Sequence, residues 1–246
     1  TWKDYAGSVG SNHVGHFRLG CFRTPSSSSL LSYGGSSSVN ITLTNTLSYA
    51  KSKGTGWDIR TWYMHTYIAA LMTLLFKSTD LQATLGNGVS SGSQSSQSAL
   101  TFTNDYGMYG DTSDKTKQMS FFWMQNIYGD LWEWCGGAKT SLYTLMTCTG
   151  YSSTDEADFD KNSFGGPSSY IDGTIKTVVG TTDAGFFPTD CSGSYTIYFA
   201  DRGTVDSSYF PDVGGSYNND TRCGPFYARF NVSASGTVAV RPSYRL

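Results

Sequence analysis

Charge is what this sequence has least of: Asp, Glu, Lys and Arg make up 15% of it, and 17 basic against 19 acidic residues leave a formal charge of -2. No Lys/Arg run occurs, so the clustered cations that phosphate-backbone binding needs are missing and nucleic acid is not an expected partner. Histidine is scarcer still, with only His13, His16 and His65. None has the spacing of a metal-binding helix or the neighbours of a nucleophile elbow. His13 and His16 share a face only inside a Gly/Ser-rich segment, where no metal site is expected, and His65 falls in a helical pattern as a surface or core residue. Cys21, Cys135, Cys148, Cys191 and Cys223 are odd in number and contain no Cys-x-x-Cys pair, which argues against a zinc site or a complete disulfide framework. They are expected to be mostly small buried hydrophobes, with one or two bridges left open. The longest apolar stretch, around Tyr67 to Phe76, is too short for the roughly 20 residues that span a bilayer, so no membrane insertion is expected. There is no phosphate-cradling glycine loop and no internal repeat. The sequence opens on Thr1 with no charged-then-apolar leader, as expected at a processing boundary, and location is not legible there.

What fills the remaining space is hydroxyl, glycine and aromatic ring: 38% of residues are apolar, 15% are aromatic, and Ser, Thr, Gly, Asn and Tyr supply most of the rest. Such a surface suits contact with proteins or sugars. At 246 residues the chain can hold one sizeable core, and it is read as a single domain over 1–246.

Residues 1–50 are Gly/Ser-rich. The alternation Val39-Asn40-Ile41-Thr42-Leu43 predicts a strand, and the Ser26–Ser29 and Gly34–Ser38 clusters predict loops. From Trp57 to Phe76 the period lengthens. Trp62, Tyr63, Tyr67, Ala70, Leu71, Leu74 and Leu75 recur at three- and four-residue steps and predict a helix buried along that face. Thr79 with Gln82 fits a capping box for a second, short helix ended by Gly86, with Leu81, Leu85 and Val89 inward. The Gly, Ser, Asn and Gln composition of 86–98 predicts a long exposed loop. Short strands are expected at Ser120–Trp123, Leu131–Trp134, Thr174–Val179, Ser194–Phe199, Phe226–Phe230 and Thr237–Val240. Helices early and short strands late predict an α+β fold with a small, irregular, mostly antiparallel sheet and one or two helices.

Asp155, Glu156, Asp158 and Asp160 form an acidic run that is expected to be a solvated loop, a calcium site being the alternative because hard cations take oxygen ligands. The segment Asn126-Ile127-Tyr128-Gly129-Asp130-Leu131-Trp132-Glu133-Trp134-Cys135-Gly136-Gly137 is more distinctive. Alternation puts Trp132 and Trp134 on one side and Glu133 on the other, and core packing is the expected role. The unit closely resembles the Gly-Asn-x-Trp-Glu-Trp signature of the C-type-lectin-like fold shared by formylglycine-generating enzymes and the variable proteins of diversity-generating retroelements. The ending Gly214-Gly215-Ser216-Tyr217-Asn218-Asn219-Asp220, Gly224-Pro225-Phe226-Tyr227, Ser233-Ala234-Ser235 and Val240-Arg241-Pro242 looks like the C-terminal variable region of those target proteins, which include phage tail receptor-binding proteins. The resemblance runs from about Trp57 and takes in the Leu81-Gln82-Ala83-Thr84-Leu85-Gly86 stretch, while residues 1–50 match only loosely.

The resemblance implies a formylglycine-generating-enzyme-like variant of that fold, with 214–246 as the diversified segment. It further implies a binding protein and no enzyme, without cofactor or metal, acting as a tail-tip adhesin on the virion or as a variable protein on a bacterial surface. A host-surface receptor of protein or glycan is the implied partner, and a homotrimer the implied assembly. Randomising the adenines of Asn-type codons cannot create Lys, Glu, Gln, Trp or Met, and none occurs from Ser216 to Leu246, although they are already absent from Thr177 onward. The implied contact residues are Ser216, Tyr217, Asn218, Asn219, Asp220, Arg222, Tyr227, Arg229 and Asn231, whose rings, amides and guanidinium forks suit recognition. Gly214, Gly215, Gly224, Phe226 and Phe230 are implied scaffold. Two other readings stay open. A formylglycine-generating-type oxidase needs a reactive cysteine pair in a motif that Cys191 and Cys223 do not occupy. A calcium-dependent lectin needs a Glu-Pro-Asn or Gln-Pro-Asp loop that is absent.

Overall fold

The computed structural model describes residues 2–6, 16–25, 28–32, 40–94, 106–148, 152–161, 165–181, 185–194 and 199–245, with backbone alone for 2–6, 16, 161 and 181. The early elements are β1 (Trp2–Ala6), β2 (His16–Gly20), β3 (Ile41–Thr42), α1 (Leu43–Lys53), β4 (Trp57–Ile59), α2 (Trp62–Phe76) and α3 (Leu81–Thr84). Short strands follow: β5 (Ser120–Phe121), β6 (Met124–Gln125), β7 (Glu133–Trp134), β8 (Ala138–Ser141), β9 (Thr144–Cys148) and β10 (Phe159–Lys161). The late strands are β11 (Ile171–Thr174), β12 (Thr177–Thr181), β13 (Gly185–Asp190), β14 (Arg202–Val205), β15 (Phe210–Val213), β16 (Ala228–Val232), β17 (Thr237–Val238) and β18 (Pro242–Arg245). The architecture is α+β, with few helices and several small sheets.

Two sheets organise the molecule. One has the order β1-β2-β18-β4, all antiparallel, so the last strand lies between two early ones. The other has the order β11-β14-β16-β15-β7 and is antiparallel except where β14 and β16 run parallel. Behind it Trp62, Val205, Val213, Ala228 and Phe230 are buried together, and Trp134 packs with Ile59, Phe210 and Val240.

The helices show where the pattern misleads. The Val39–Leu43 alternation yields only the two-residue β3, because the Thr42 hydroxyl accepts from Asn45 N at 3.2 Å and starts α1 at Leu43; this helix was not expected. Trp57–Ile59 is a strand, and the predicted helix begins at Trp62, where the Thr61 hydroxyl caps Met64 N. Its buried side is only partly the expected one. Trp62 and Tyr63 are buried as expected, but so are Met64, His65, Thr66, Ile68, Ala69 and Met72, whereas Ala70 is exposed and Leu74 and Leu75 are 75% and 48% exposed. WYMHTYIAALMTLLF is apolar at almost every position, so periodicity does not choose a face; tertiary packing does, with Phe186 on β13 against Trp62 and His65 on one side and Phe17 and Phe121 in the cluster around Tyr63, Met64, Ile68 and Met72 on the other. Asp80, not Thr79, caps α3 by accepting from Ala83 N at 3.0 Å. Leu81, Leu85 and Val89 are inward as expected.

The expected exposed loop after Gly86 is half wrong. Residues 86–90 are buried and only 91–94 are exposed, because Asn87 N and Ser90 N donate to the carbonyls of Asp111 and Lys115. Loop-to-loop backbone hydrogen bonds bury a segment that has little apolar side chain to offer. Of the expected strands, Ser120–Trp123 turns back at Phe122 and Trp123 into β6, and Thr174–Val179 divides between β11 and β12. Residues 95–98, 195–198, His13 and the Gly34–Ser38 cluster lie outside the described residues. All five cysteines are free and buried, which closes the question of bridges.

Candidate functional site: a polar sheet face on a buried charge cluster

The loop Asn126-Ile127-Tyr128-Gly129-Asp130 sets the site. Asn126, Gly129 and Asp130 have φ of 51°, 72° and 65°, the left-handed region that glycine enters freely and Asn or Asp more cheaply than other residues. The carbonyls of Asn126 and Gly129 take bonds from Arg23 Nη2 at 2.7 and 2.9 Å. Next along the chain, Glu133 Oε1 accepts from Arg23 Nε at 2.6 Å and Arg241 Nη2 at 2.8 Å. Its Oε2 faces Arg60 Nη2 at 3.1 Å and Arg241 Nε at 3.2 Å. Asp130 takes Arg23 Nη1 at 2.8 Å.

These five side chains are sealed from solvent. Three guanidiniums against two carboxylates leave one net positive charge, spread over the carbonyls of Gly20, Cys21, Gln125, Asn126, Ile127 and Gly129. Burial alone would raise the Glu133 carboxyl, but the charges of Arg241, Arg60 and Arg23 hold it down at about 2. The cluster ties the end of β2, the junction of β4 with α2, the Trp-Glu-Trp unit and the approach to β18 into one block. Two potentially reactive groups lie nearby. Burial, with the Arg60 charge, holds His65 well below its usual range, and burial pushes the Cys135 thiol up. Both are buried, and both sit deep in the core beside this structural cluster.

Trp132 leaves the block on the opposite side. Its ring meets Tyr227 edge-on at 4.4 Å and carries the Arg229 guanidinium at 4.2 Å. Along β16 the side chains alternate: Ala228 and Phe230 go into the core, and Tyr227, Arg229 and Asn231 share the other side. Register continues this side across four strands, pairing Asp172 with Thr204, Thr204 with Arg229 and Arg229 with Asp212. Arg229 forks onto Asp212 (Nε to Oδ1 2.9 Å), and Arg202 forks onto Asp172 (Nε to Oδ1 2.7 Å), whose Oδ1 also accepts from Thr204 at 2.7 Å. Burial lifts the Asp212 carboxyl to about 6 despite Arg229. Burial would also raise Asp172, but its bonds from Arg202 and Thr204 bring it below the ordinary value.

The loop after β15 is pinned to this block from several sides. Gly214 and Gly215 have φ of 89° and 80°, and a Cβ on Gly215 would stand 2.7 Å from Cys223 Sγ. The Ser216 hydroxyl donates to Asn218 Oδ1 at 2.6 Å and Asn219 Oδ1 at 2.9 Å, and Tyr217 N donates to Asp130 O at 2.9 Å. Asp220 N donates to Ser90 O, Gln82 Nε2 donates to Asp220 O at 3.1 Å, and the Asp220 carboxylate pairs with Lys115. At Gly224 a Cβ would lie 2.0 Å from Asp201 Oδ1, while Asp201 Oδ2 accepts from Phe226 N at 2.6 Å.

The nine expected contact residues therefore divide. Asn218, Asp220 and Arg222 are exposed, and Tyr217, Asn219, Arg229 and Asn231 are half-buried. Ser216 and Tyr227 are buried at 6% and 3% exposure, so their side chains are turned to internal partners. Gly214, Gly215, Gly224, Phe226 and Phe230, expected as scaffold, are all buried. Sequence reasoning missed Tyr170, Asp172, Arg202 and Thr204 on the same sheet face, although period-two alternation in Tyr170-Ile171-Asp172 and Arg202-Gly203-Thr204 carries the signal. The acidic run is solvated, with Asp155 capping a short turn and Glu156 pairing with Lys139.

No family model matches the chain, and no curated protein is detectably similar to it. No helix among the described residues is long and apolar enough to cross a membrane.

Proposed function

We propose that this chain is a receptor-binding protein with a C-type-lectin-like fold of the retroelement variable-protein kind, displaying its 214–246 segment to a host-surface ligand. The observation that carries the reading is the contrast within one segment. Gly214, Gly215, Gly224, Phe226 and Phe230 are locked in buried packing, and Arg241 sits in the buried charge cluster, while Asn218, Asp220 and Arg222 project from a loop pinned at both ends. A frame of that kind tolerates change at its exposed positions without losing shape, which is what a diversified surface requires. In this reading the protein acts by binding and performs no catalysis. It works at a phage tail tip, with display on a bacterial surface as the alternative, and a trimer would add avidity to a modest single-site affinity.

The test is sequence variation at this locus among independent clones. Differences are expected at Tyr217, Asn218, Asn219, Asp220, Arg222, Arg229 and Asn231, with identity at Gly214, Gly224 and Phe226. A near-copy of the 3′ coding end beside a reverse-transcriptase gene is also expected. Uniform segments across many clones, or differences scattered over the whole chain, overturn the proposal.

A further inference from the structure

The polar face does not end with the C-terminal segment. Asp172 and Arg202 with Thr204 continue it across β11 and β14 in register with Arg229, Tyr170 stands just before β11, Asp172 feels the charge of Arg222, and Tyr227 feels those of Arg202 and Asp172. Four strands at about 4.8 Å spacing give a strip roughly 15 Å wide. Two features describe what it can hold. Its charges are largely spent internally: Arg202 on Asp172, Arg229 on Asp212 and Asp220 on Lys115, with Arg222 alone carrying no ion pair among the described residues. It also exposes little apolar surface. The Trp132 ring is half-buried against Arg229, and of the large apolar side chains that stand exposed among the described residues only Tyr170, at 50% and just before β11, adjoins these strands. A protein partner of ordinary affinity wants a desolvated aromatic or aliphatic core in its contact patch, and an anionic partner wants a cluster of unpaired cations. The face offers little exposed apolar surface and, among the described residues, Arg222 as its one unpaired cation. What is offered is the accessible edges of Asp172, Arg202 and Arg229 and the Asn218 amide, each carboxylate and guanidinium fixed by its ion pair, with the Tyr170 and Tyr217 faces beside them. Paired planar groups of that kind take the vicinal hydroxyls of a sugar two at a time, and an aromatic face packs on its C–H side.

Resting on the proposed binding role of this face, we propose that its ligand is a neutral glycan, and that Tyr170, Asp172 and Arg202 form a fixed half of the site outside the diversified segment. The fixed half holds the sugar ring common to a class of host glycans, and the loop at 217–222 reads its neighbours. No metal takes part, since the hydroxyls are held by side chains.

The test uses the full chain on immobilised dextran, mannan, galactan and chitin oligosaccharides, with heparin and polysialic acid as charged probes, and on a panel of bacterial cells before and after periodate cleavage of vicinal diols. Retention on at least one neutral glycan is expected, displaced by the free oligosaccharide and weakened about tenfold or more in Tyr170→Ala and in Asp172→Ala. Tyr170→Ala should keep the wild-type melting temperature, which separates lost contact from lost fold. Retention only on heparin or polysialic acid, or on no glycan, overturns the glycan proposal. Cell binding that survives periodate yet is lost in Asn218→Ala and Arg222→Ala overturns the glycan while leaving the face as the binding site. Cell binding that none of these variants alters overturns both.

Discussion

Replacing Glu133 by Gln keeps the shape of the side chain and removes one charge from the sealed cluster. Arg23 retains Asp130, but Arg60 and Arg241 lose their only carboxylate among the contacts described above. Removing one partner of a buried ion pair costs about 3–5 kcal/mol, because the remaining charge stays buried without compensation. A second route gives a similar figure. Glu133 is held at about 2 against an ordinary 4.5, and 2.5 units at about 1.36 kcal/mol each make about 3 kcal/mol of stability. That contribution is complete above pH 4.5, where the unfolded carboxyl is also ionised, and is lost as the pH falls from 4.5 toward 2. Urea denaturation followed by tryptophan fluorescence, with the slope checked for constancy, should therefore show E133Q less stable by about 3 kcal/mol at pH 7, equivalent to roughly 6–12 °C in melting temperature for a chain of this size. The gap between the two proteins should close as both approach pH 2. A deficit below about 1 kcal/mol at pH 7, or one that stays constant into acid, would show that the three arginines are satisfied by carbonyls alone and that the carboxylate is incidental.

Tyr227→Ala should destabilise by about 3–5 kcal/mol as a buried aromatic truncation, while Tyr217→Ala on the half-buried loop should stay within about 1 kcal/mol; equal thermal shifts in the two variants would contradict the division of the segment. In Asp212→Asn the titration at about 6 disappears. Because the folded value is raised, the wild type loses stability relative to the variant as pH rises from 4 to 7, by up to about 3 kcal/mol, and paired urea titrations at the two pH values should resolve it. Gly224→Ala forces a methyl group to within 2.0 Å of Asp201 Oδ1 and should cost roughly 1–3 kcal/mol as overpacking; a variant with wild-type denaturation would mean that the Asp201 carboxyl swings aside freely.

Class was legible in the sequence and placement was not. Short alternating runs and turn residues announced small sheets, and α2 and α3 appeared near their true positions. The buried side of α2 was hidden because nearly every position in it is apolar, so residues distant in the chain, Phe186 on one side and Phe17 and Phe121 on the other, decide it. The cap at Thr42 competes with a period-two pattern and wins through one hydroxyl. The largest omission is the charge cluster. Arg23, Arg60 and Arg241 are far from Glu133 along the chain, and no local pattern distinguishes a guanidinium that will be buried from one that will be solvated. Within the segment, alternation separated Phe230 from Arg229 correctly. It could not reveal that Tyr227, on the outward side of β16, is covered by Trp132.

The position of β18 between β2 and β4 bears on how the protein is made. Strands made earlier in the chain wait for one made after most of the described residues, and Arg241, just before it, is the last of the three arginines to reach Glu133. The nascent chain therefore cannot close this sheet until residues 242–245 have left the ribosome. A product truncated before Pro242 leaves both β2 and β4 without their shared neighbour. Such products are expected to go to proteases, so quality control at this sheet selects chains that carry β18.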